Sequence, residues 1–384
     1  MAIKEGGGAI IDLIKAVDLQ LKNVHTQSLD ISFNELTDMV EHGELDIRPD
    51  YQRLFQWSEG ARSRFIESLL LEMPVPPIYV VEEEDNKKLL IDGLQRLSSY
   101  LHFRGRLEAS HLKPPLKKGD QLILQDCDIL PELNGLTFDD LGVALQIKLR
   151  RSFVRMEVIR KGSNPKFKYH MFKRLNTGGE ALTAQQLRNC TIRLLSSKFN
   201  DFINDLADTS EDFRMCISTI SDDQFLGAYD KELVLRFFAL KNWRDHFRHD
   251  VTDFLTEYME VVSDPDKPAD FDYEKEGAAF KKTFHILARA LSDRAFGRAN
   301  PAKVGELVRG FGIYHFEAFT MGLQPFLDKA DVDQPAGLQK VREVLMGIKL
   351  NPGFIELTTG GGKNSPGPLA QRIAFVEGKL SASL

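Results

Sequence analysis

The densest chemistry in this 384-residue chain lies in the hexad Ile91-Asp92-Gly93-Leu94-Gln95-Arg96. Lys88-Leu89-Leu90-Ile91 reads as a strand that runs directly into Asp92-Gly93, and Leu97, Tyr100 and Leu101 then recur at helical spacing. A strand, a tight glycine turn and a helix start make a natural anion site, because backbone N–H groups and the positive end of the helix dipole converge there. Arg96, in the first turn, can clamp a phosphate with two N–H groups, and Gln95 can hydrogen-bond a ribose, a base or a water. The same residues admit a plainer reading. Asp92 followed three positions later by Gln95 is a capping-box pattern that needs no ligand, and spacing alone leaves both readings open.

Two further clusters carry similar chemistry. Asp46-Ile47-Arg48-Pro49-Asp50-Tyr51-Gln52-Arg53-Leu54-Phe55-Gln56-Trp57 contains a proline that disfavours a helix. Tyr51 and Trp57 can stack on a base or anchor a core, while Arg53 can meet phosphate. The second cluster, Phe172-Lys173-Arg174-Leu175-Asn176-Thr177-Gly178-Gly179-Glu180-Ala181-Leu182-Thr183, ends a helix at two glycines, and Thr183 with Gln186 repeats the capping-box spacing. It is either a helix corner or, with Lys173, Arg174 and Asn176 beside the glycines, one wall of a phosphate-lined groove. It closes a basic stretch in which residues 148–174 hold ten Lys/Arg and one acid, Glu157. Lys148, Arg150, Arg151, Lys173 and Arg174 are the candidate DNA contacts on that stretch.

The elements that must position these groups divide the chain in two. Pro74-Val75-Pro76-Pro77 leads into a strand at Ile78-Tyr79-Val80-Val81, residues 82–88 make a charged turn, and residues 152–159 alternate as a further strand. Ser58 is placed to cap a helix carrying Phe65, Ile66, Leu69, Leu70 and Met73, which Pro74 stops. After about residue 165 the texture becomes helical, with runs expected over 167–175, 230–247, 251–262, 275–292, 302–318 and 336–348. Residues 358–363 and their Pro-rich sequel read as a mobile loop without the spacing of a P-loop. The expected architecture is α+β: an extension over 1–28, a mixed domain over 29–195 and an all-helical domain over 196–384.

Bulk properties narrow the classes. A formal charge of −6 argues against wholesale coating of nucleic acid, while leaving room for a local basic patch. Cys127, Cys190 and Cys216 are too widely spaced for a zinc ribbon or a disulfide framework. None lies near 92–96, which disfavours redox chemistry at that turn. The sequence shows neither a signal-peptide pattern nor an apolar run of membrane-spanning length, so a cytoplasmic protein without membrane contact is expected. His246 and His249 read as a solvated helix end and Asp222-Asp223 as a loop or helix cap rather than a metal pair; no metal site is assigned.

Tyr51-Gln52-Arg53 with Trp57, Pro74-x-Pro76, Ile91-Asp92-Gly93-x-Gln95-Arg96-Leu97 and Arg174-Leu175-Asn176-Thr177-Gly178-Gly179, in this order, resemble the N-terminal domain of GmrSD-type proteins. The segment Lys231-Glu232-Leu233-Val234-Leu235-Arg236 is similar to the segment that follows it in that family. The resemblance implies a ParB/sulfiredoxin-like fold, a nucleoside-triphosphate site with Mg2+ as companion ion, and a role in prokaryotic defence against phage or modified DNA. Asp92, Gly93, Gln95 and Arg96 would form the nucleotide signature, with Asp92, Gln95 and Arg96 as catalytic candidates. Tyr51, Gln52 and Arg53 would line the adjoining pocket, which in some relatives senses modified DNA. Arg174, Asn176, Thr177 and Gly178 would complete the wall.

The family pattern reads Asp-Gly-Gln-Gln-Arg, whereas Leu94 holds its third position here, removing one polar side chain. No His-Asn-His nuclease module follows. Two functions stay open: a nucleotide-hydrolysing enzyme, with nuclease activity in the same ParB-like core, or a non-catalytic nucleotide or DNA sensor working with a separately encoded effector or nuclease. A homo-oligomer is compatible with either.

Overall fold

The computed structural model describes residues 25–47, 57–109, 114–176, 183–192, 195–248, 250–267 and 270–383, with 13–15, 17, 18 and 22 before them. The chain divides into two compact units, Met1–Ala181 and Leu182–Leu384. The first is α+β and the second is helical.

In the first unit the described strands are β1 (Thr26–Ser32), β2 (Leu45–Asp46), β3 (Ile78–Glu82), β4 (Lys88–Asp92) and β5 (Phe153–Ile159). They form one sheet in the order β1-β5-β3-β4-β2. β1 runs antiparallel to β5, β5 parallel to β3, β3 antiparallel to β4, and β4 parallel to β2. Alternation sorts the side chains by face. Ile78, Val80, Leu90, Val154, Met156 and Val158 enter the core, where they meet helices α1 (Phe33–Glu41), α2 (Glu59–Leu70) and α3 (Leu94–Phe103). Val81, Leu89, Ile91 and Ile159, one position out of step, are buried as well. α4 (Gly142–Arg151) packs on α1 and α2, and α5 (Pro165–Asn176) packs on β4.

Local signals account for these elements. Ser58 Oγ accepts from the N–H of Ala61 at 3.2 Å and starts α2, which ends before Pro74. The long connection after α3 is held from below by Glu67, 1% exposed, whose carboxylate accepts from the N–H groups of Ile129 and Leu130 at 3.0 and 2.6 Å. Arg104 donates to the Tyr100 hydroxyl and lies 4.5 Å from the centroid of the Phe138 ring, pinning the same connection.

The helical unit comprises α6 (Ala184–Ile192), α7 (Lys198–Thr209), α8 (Glu211–Cys216), α9 (Asp222–Leu226), α10 (Tyr229–Asn242), α11 (Val251–Ser263), α12 (Tyr273–Leu291), α13 (Ile313–Gly322), α14 (Pro335–Leu350), α15 (Pro352–Thr358) and α16 (Pro366–Ser381). α10 is its centre and is buried on all sides from Leu233 to Leu240, so the one-faced amphipathic helix expected at 230–247 is instead a core helix ending at Asn242. Phe213, Phe237, Phe280 and Phe284 interlock around it, with Phe237 and Phe280 edge-to-face at 5.2 Å.

Two further expectations are corrected. The helix expected over 302–318 begins only at Ile313, because Pro301, Gly305 at φ +86° and Gly310 break the run and an isolated bridge joins Ala299 to Leu307. The Pro-rich sequel expected as a loop opens α16, since a proline at the first helical position loses no helical hydrogen bond. No helix among the described residues is long and apolar enough to cross a membrane.

Candidate functional site

β4 does run through Asp92 into Gly93 and then α3. Gly93 is the N-cap at φ 105°, ψ 9°, a left-handed conformation that L side chains rarely adopt. A Cβ there would overlap Cγ2 of Ile78 and lie 3.0 Å from its Cβ. Glycine is therefore required both for the turn and for the close pass over β3.

This turn overturns the capping-box reading of Asp92 and Gln95. With the N-cap at Gly93, Gln95 becomes the second helical residue rather than the third, and no side chain caps the helix. Gln95 Oε1 instead accepts from the Trp57 N–H at 3.3 Å. Asp92 Oδ2 accepts from Arg96 Nη2 at 2.7 Å, and Arg96 Nη1 donates to the Pro76 carbonyl at 2.9 Å. The Arg96 side chain is 11% exposed and that of Asp92 39%. In this state Arg96 ties the proline segment before β3 to the helix start, and Asp92 presents the more open end of the pair.

Behind the turn lies a polar seam between α2 and α3. Arg62 Nε donates to the Trp57 carbonyl at 2.8 Å, and its Nη1 approaches His102 Nδ1 at 3.5 Å. Burial, reinforced by Arg62, pushes the His102 imidazole down to about 4. It is thus neutral near pH 7, and because a guanidinium only donates, Nδ1 is the accepting nitrogen. Ser99 Oγ donates to the Gln95 carbonyl at 2.6 Å. Sequence reasoning missed Arg62 and His102, whose approach joins two helices 40 residues apart in the chain. Trp57 itself stands against Phe65, ring centroids 5.9 Å apart, as a core anchor.

Tyr51, Gln52, Arg53, Thr177 and Gly178 lie outside the described residues, as do the side chains of Lys173 and Asn176; Arg174 is exposed on α5. Lys148, Arg150 and Arg151 form the last turn of α4, where cations complement the helix dipole. Lys148 pairs with Glu72 at 3.1 Å, Arg150 Nε donates to the Gln146 carbonyl of its own helix, and Arg151 is exposed. α4 leads into the start of β5 and α5 follows its end, so the two basic segments join opposite ends of that strand.

Residues 33–193 match the model of a family described as GmrSD restriction endonuclease, N-terminal domain. This segment is a GmrSD-type N-terminal domain. No curated protein and no solved structure gives a match to the chain. Within the GmrSD-type domain, Leu94 packs partly buried against the sheet core, which gives a physical reason for an apolar residue at that position. The Thr183/Gln186 capping box at the domain's last helix is formed in both directions, at 2.9 and 3.2 Å. In the helical unit, Asp222 and Asp223 begin α9 behind a Ser221/Gln224 capping box. His246 stacks on Trp243 at 4.3 Å, while His249 lies outside the described residues. Cys127 and Cys216 are buried, and burial pushes the Cys127 thiol up to about 11 and Cys216 higher still. Neither is a reactive thiolate.

Proposed function

We propose that the chain is a nucleoside-triphosphate-binding protein of restriction-type defence that acts on or senses modified DNA. The observation that carries this reading is the left-handed Gly93 turn and the helix start without a side-chain cap, inside a domain matching the GmrSD N-terminal model. Backbone N–H groups at such an end suit a phosphate. The Asp92–Arg96 pair supports a dual role, with the guanidinium as a phosphate partner and the more exposed carboxylate facing a magnesium ion carried by the triphosphate. The ParB/sulfiredoxin-like character of the fold, with its strand-to-helix phosphate turn, belongs to the same proposal.

Between catalysis and sensing, Leu94 favours sensing with a separately encoded effector, because its side chain supports the core and adds no polar group to the pocket. The deciding experiment is a panel of nucleoside triphosphates with Mg2+, with and without DNA, on wild type and Asp92→Ala. Nucleotide-dependent thermal stabilisation lost in Asp92→Ala supports the site, and phosphate release adds hydrolysis to it. Absence of both stabilisation and turnover with every nucleotide refutes it. For DNA, salt-dependent affinity that weakens when Lys173 and Arg174 are neutralised supports the basic stretch as a phosphate contact.

A further inference from the structure

The helical unit contains a cleft of about 510 Å3 whose lining comes from α7, α8, α9, the turn after α8 and the first turn of α10. That volume falls within the range of small-ligand sites, roughly 300–1,000 Å3. One lining residue, Asp230, is 1% exposed. Its Oδ2 accepts from Lys231 Nζ at 2.7 Å, whereas its Oδ1 is buried and has no hydrogen-bond partner among the described residues. A carboxylate oxygen held away from solvent without a donor is rare in native proteins and asks for one, whether an ordered water, an ion or a ligand group.

The rest of the lining says which kind. Met215 and Phe225, 47% and 40% exposed, present large apolar side chains to the cleft together with Ile220. Glu211, Asp222 and Asp230 set three carboxylates against one cation, Arg214, which donates to the Asp208 carbonyl at 3.4 Å. The chain already pairs a cation with this wall. Lys231 Nζ sits 2.7 Å from both Asp230 Oδ2 and Asp208 Oδ1, and 5.5 Å from the centroid of the Phe225 ring. The second oxygen of the same carboxylate awaits a second donor.

We infer that this cleft binds an ammonium or guanidinium group on an apolar stem, as carried by a polyamine or by a lysine or arginine side chain of a partner. The site is independent of the nucleotide turn and stands or falls separately from it.

Titration calorimetry on the full chain tests this with n-butylguanidinium, spermidine and a blocked Leu-Arg-Leu tripeptide, using n-butanol as the neutral stem. Saturable binding of butylguanidinium with Kd of about 1 mM or tighter, and none of butanol, is expected. Tighter spermidine binding identifies a free polyamine, and tighter peptide binding a partner's side chain. Asp230→Asn is expected to weaken binding at least tenfold. Because Asp230 also pairs with Lys231, Met215→Trp provides a second test: it fills the cleft from an exposed position and must weaken binding even where Asp230→Asn fails to fold. No saturable heat from any of the three cations, binding unchanged in Met215→Trp, or butanol binding as well as butylguanidinium would overturn the inference.

Discussion

Replacing Gly93 by alanine isolates the turn on which the candidate site depends. Two costs add. A non-glycine residue held in left-handed backbone at φ 105° loses about 1–2 kcal/mol. The new methyl overlaps Cγ2 of Ile78, a fully buried strand residue that cannot swing away, and such overpacking costs about 1–3 kcal/mol. The stiffer unfolded chain returns about 0.4–1 kcal/mol, so a net destabilisation of about 2–4 kcal/mol is expected. Denaturant titration followed by circular dichroism measures it, with the first unit's transition resolved from that of the helical unit. A cycle with Ile78→Ala sharpens the result. That change removes Cγ2 at its own cost of about 2–5 kcal/mol, and the double variant should be less destabilised than the sum by about 1 kcal/mol or more. Gly93→Ala within about 0.5 kcal/mol of wild type, or strict additivity with Ile78→Ala, would refute the account of this turn.

Three further outcomes follow from groups outside the turn. Glu67→Ala removes the shared acceptor of the Ile129 and Leu130 N–H groups and should cost about 1.5–3 kcal/mol, read by urea midpoint; a shift within about 0.5 kcal/mol argues that the connection holds itself. Glu317→Ala strips the shared partner of Arg236 and Arg372 and should destabilise the helical unit by about 3–5 kcal/mol in the same assay. His285 sits between Asp333 and Asp212 at 3.1 and 2.9 Å, and these hydrogen bonds raise its pKa above the ordinary 6.5. Its stabilisation is therefore complete below about pH 6.5 and fades as pH rises through the higher folded value. The melting-temperature gap between wild type and His285→Gln should accordingly shrink from about pH 6 to about pH 8, and a gap that widens contradicts the assignment.

Much of the first unit was legible because short apolar runs stand between strong turn signals. Residues 78–81, 88–91 and 152–159 became β3, β4 and β5 to within a residue. Ser58 and Thr183 read as caps because a cap is a local hydrogen bond whose partners lie two or three residues away. Asp92 and Gln95 misled for an equally local reason. Glycine shifted the helix start by one residue, and sequence spacing does not reveal a left-handed φ. Arg96's use of the Pro76 carbonyl, twenty residues back, and Glu67's grip on Ile129 were invisible because both partners are backbone atoms, which carry no residue signature. In the helical unit the obstacle is separation instead: Arg236 and Glu317 pair through their side chains but are 81 residues apart. A periodic pattern reports which face is apolar, but not which buried charge waits for which.

Those charges form a connected row: Arg188 on Glu232 at 2.7 Å, Glu232 on Arg236 at 3.2 Å, Arg236 on Glu317 at 2.8 Å, and Glu317 on Arg372. The row alternates in sign and has a cation at each end, so deleting an interior member strands a buried charge on either side of it. Drift in this sequence should therefore be coordinated along the row, with Glu232, Arg236 and Glu317 changing together or not at all.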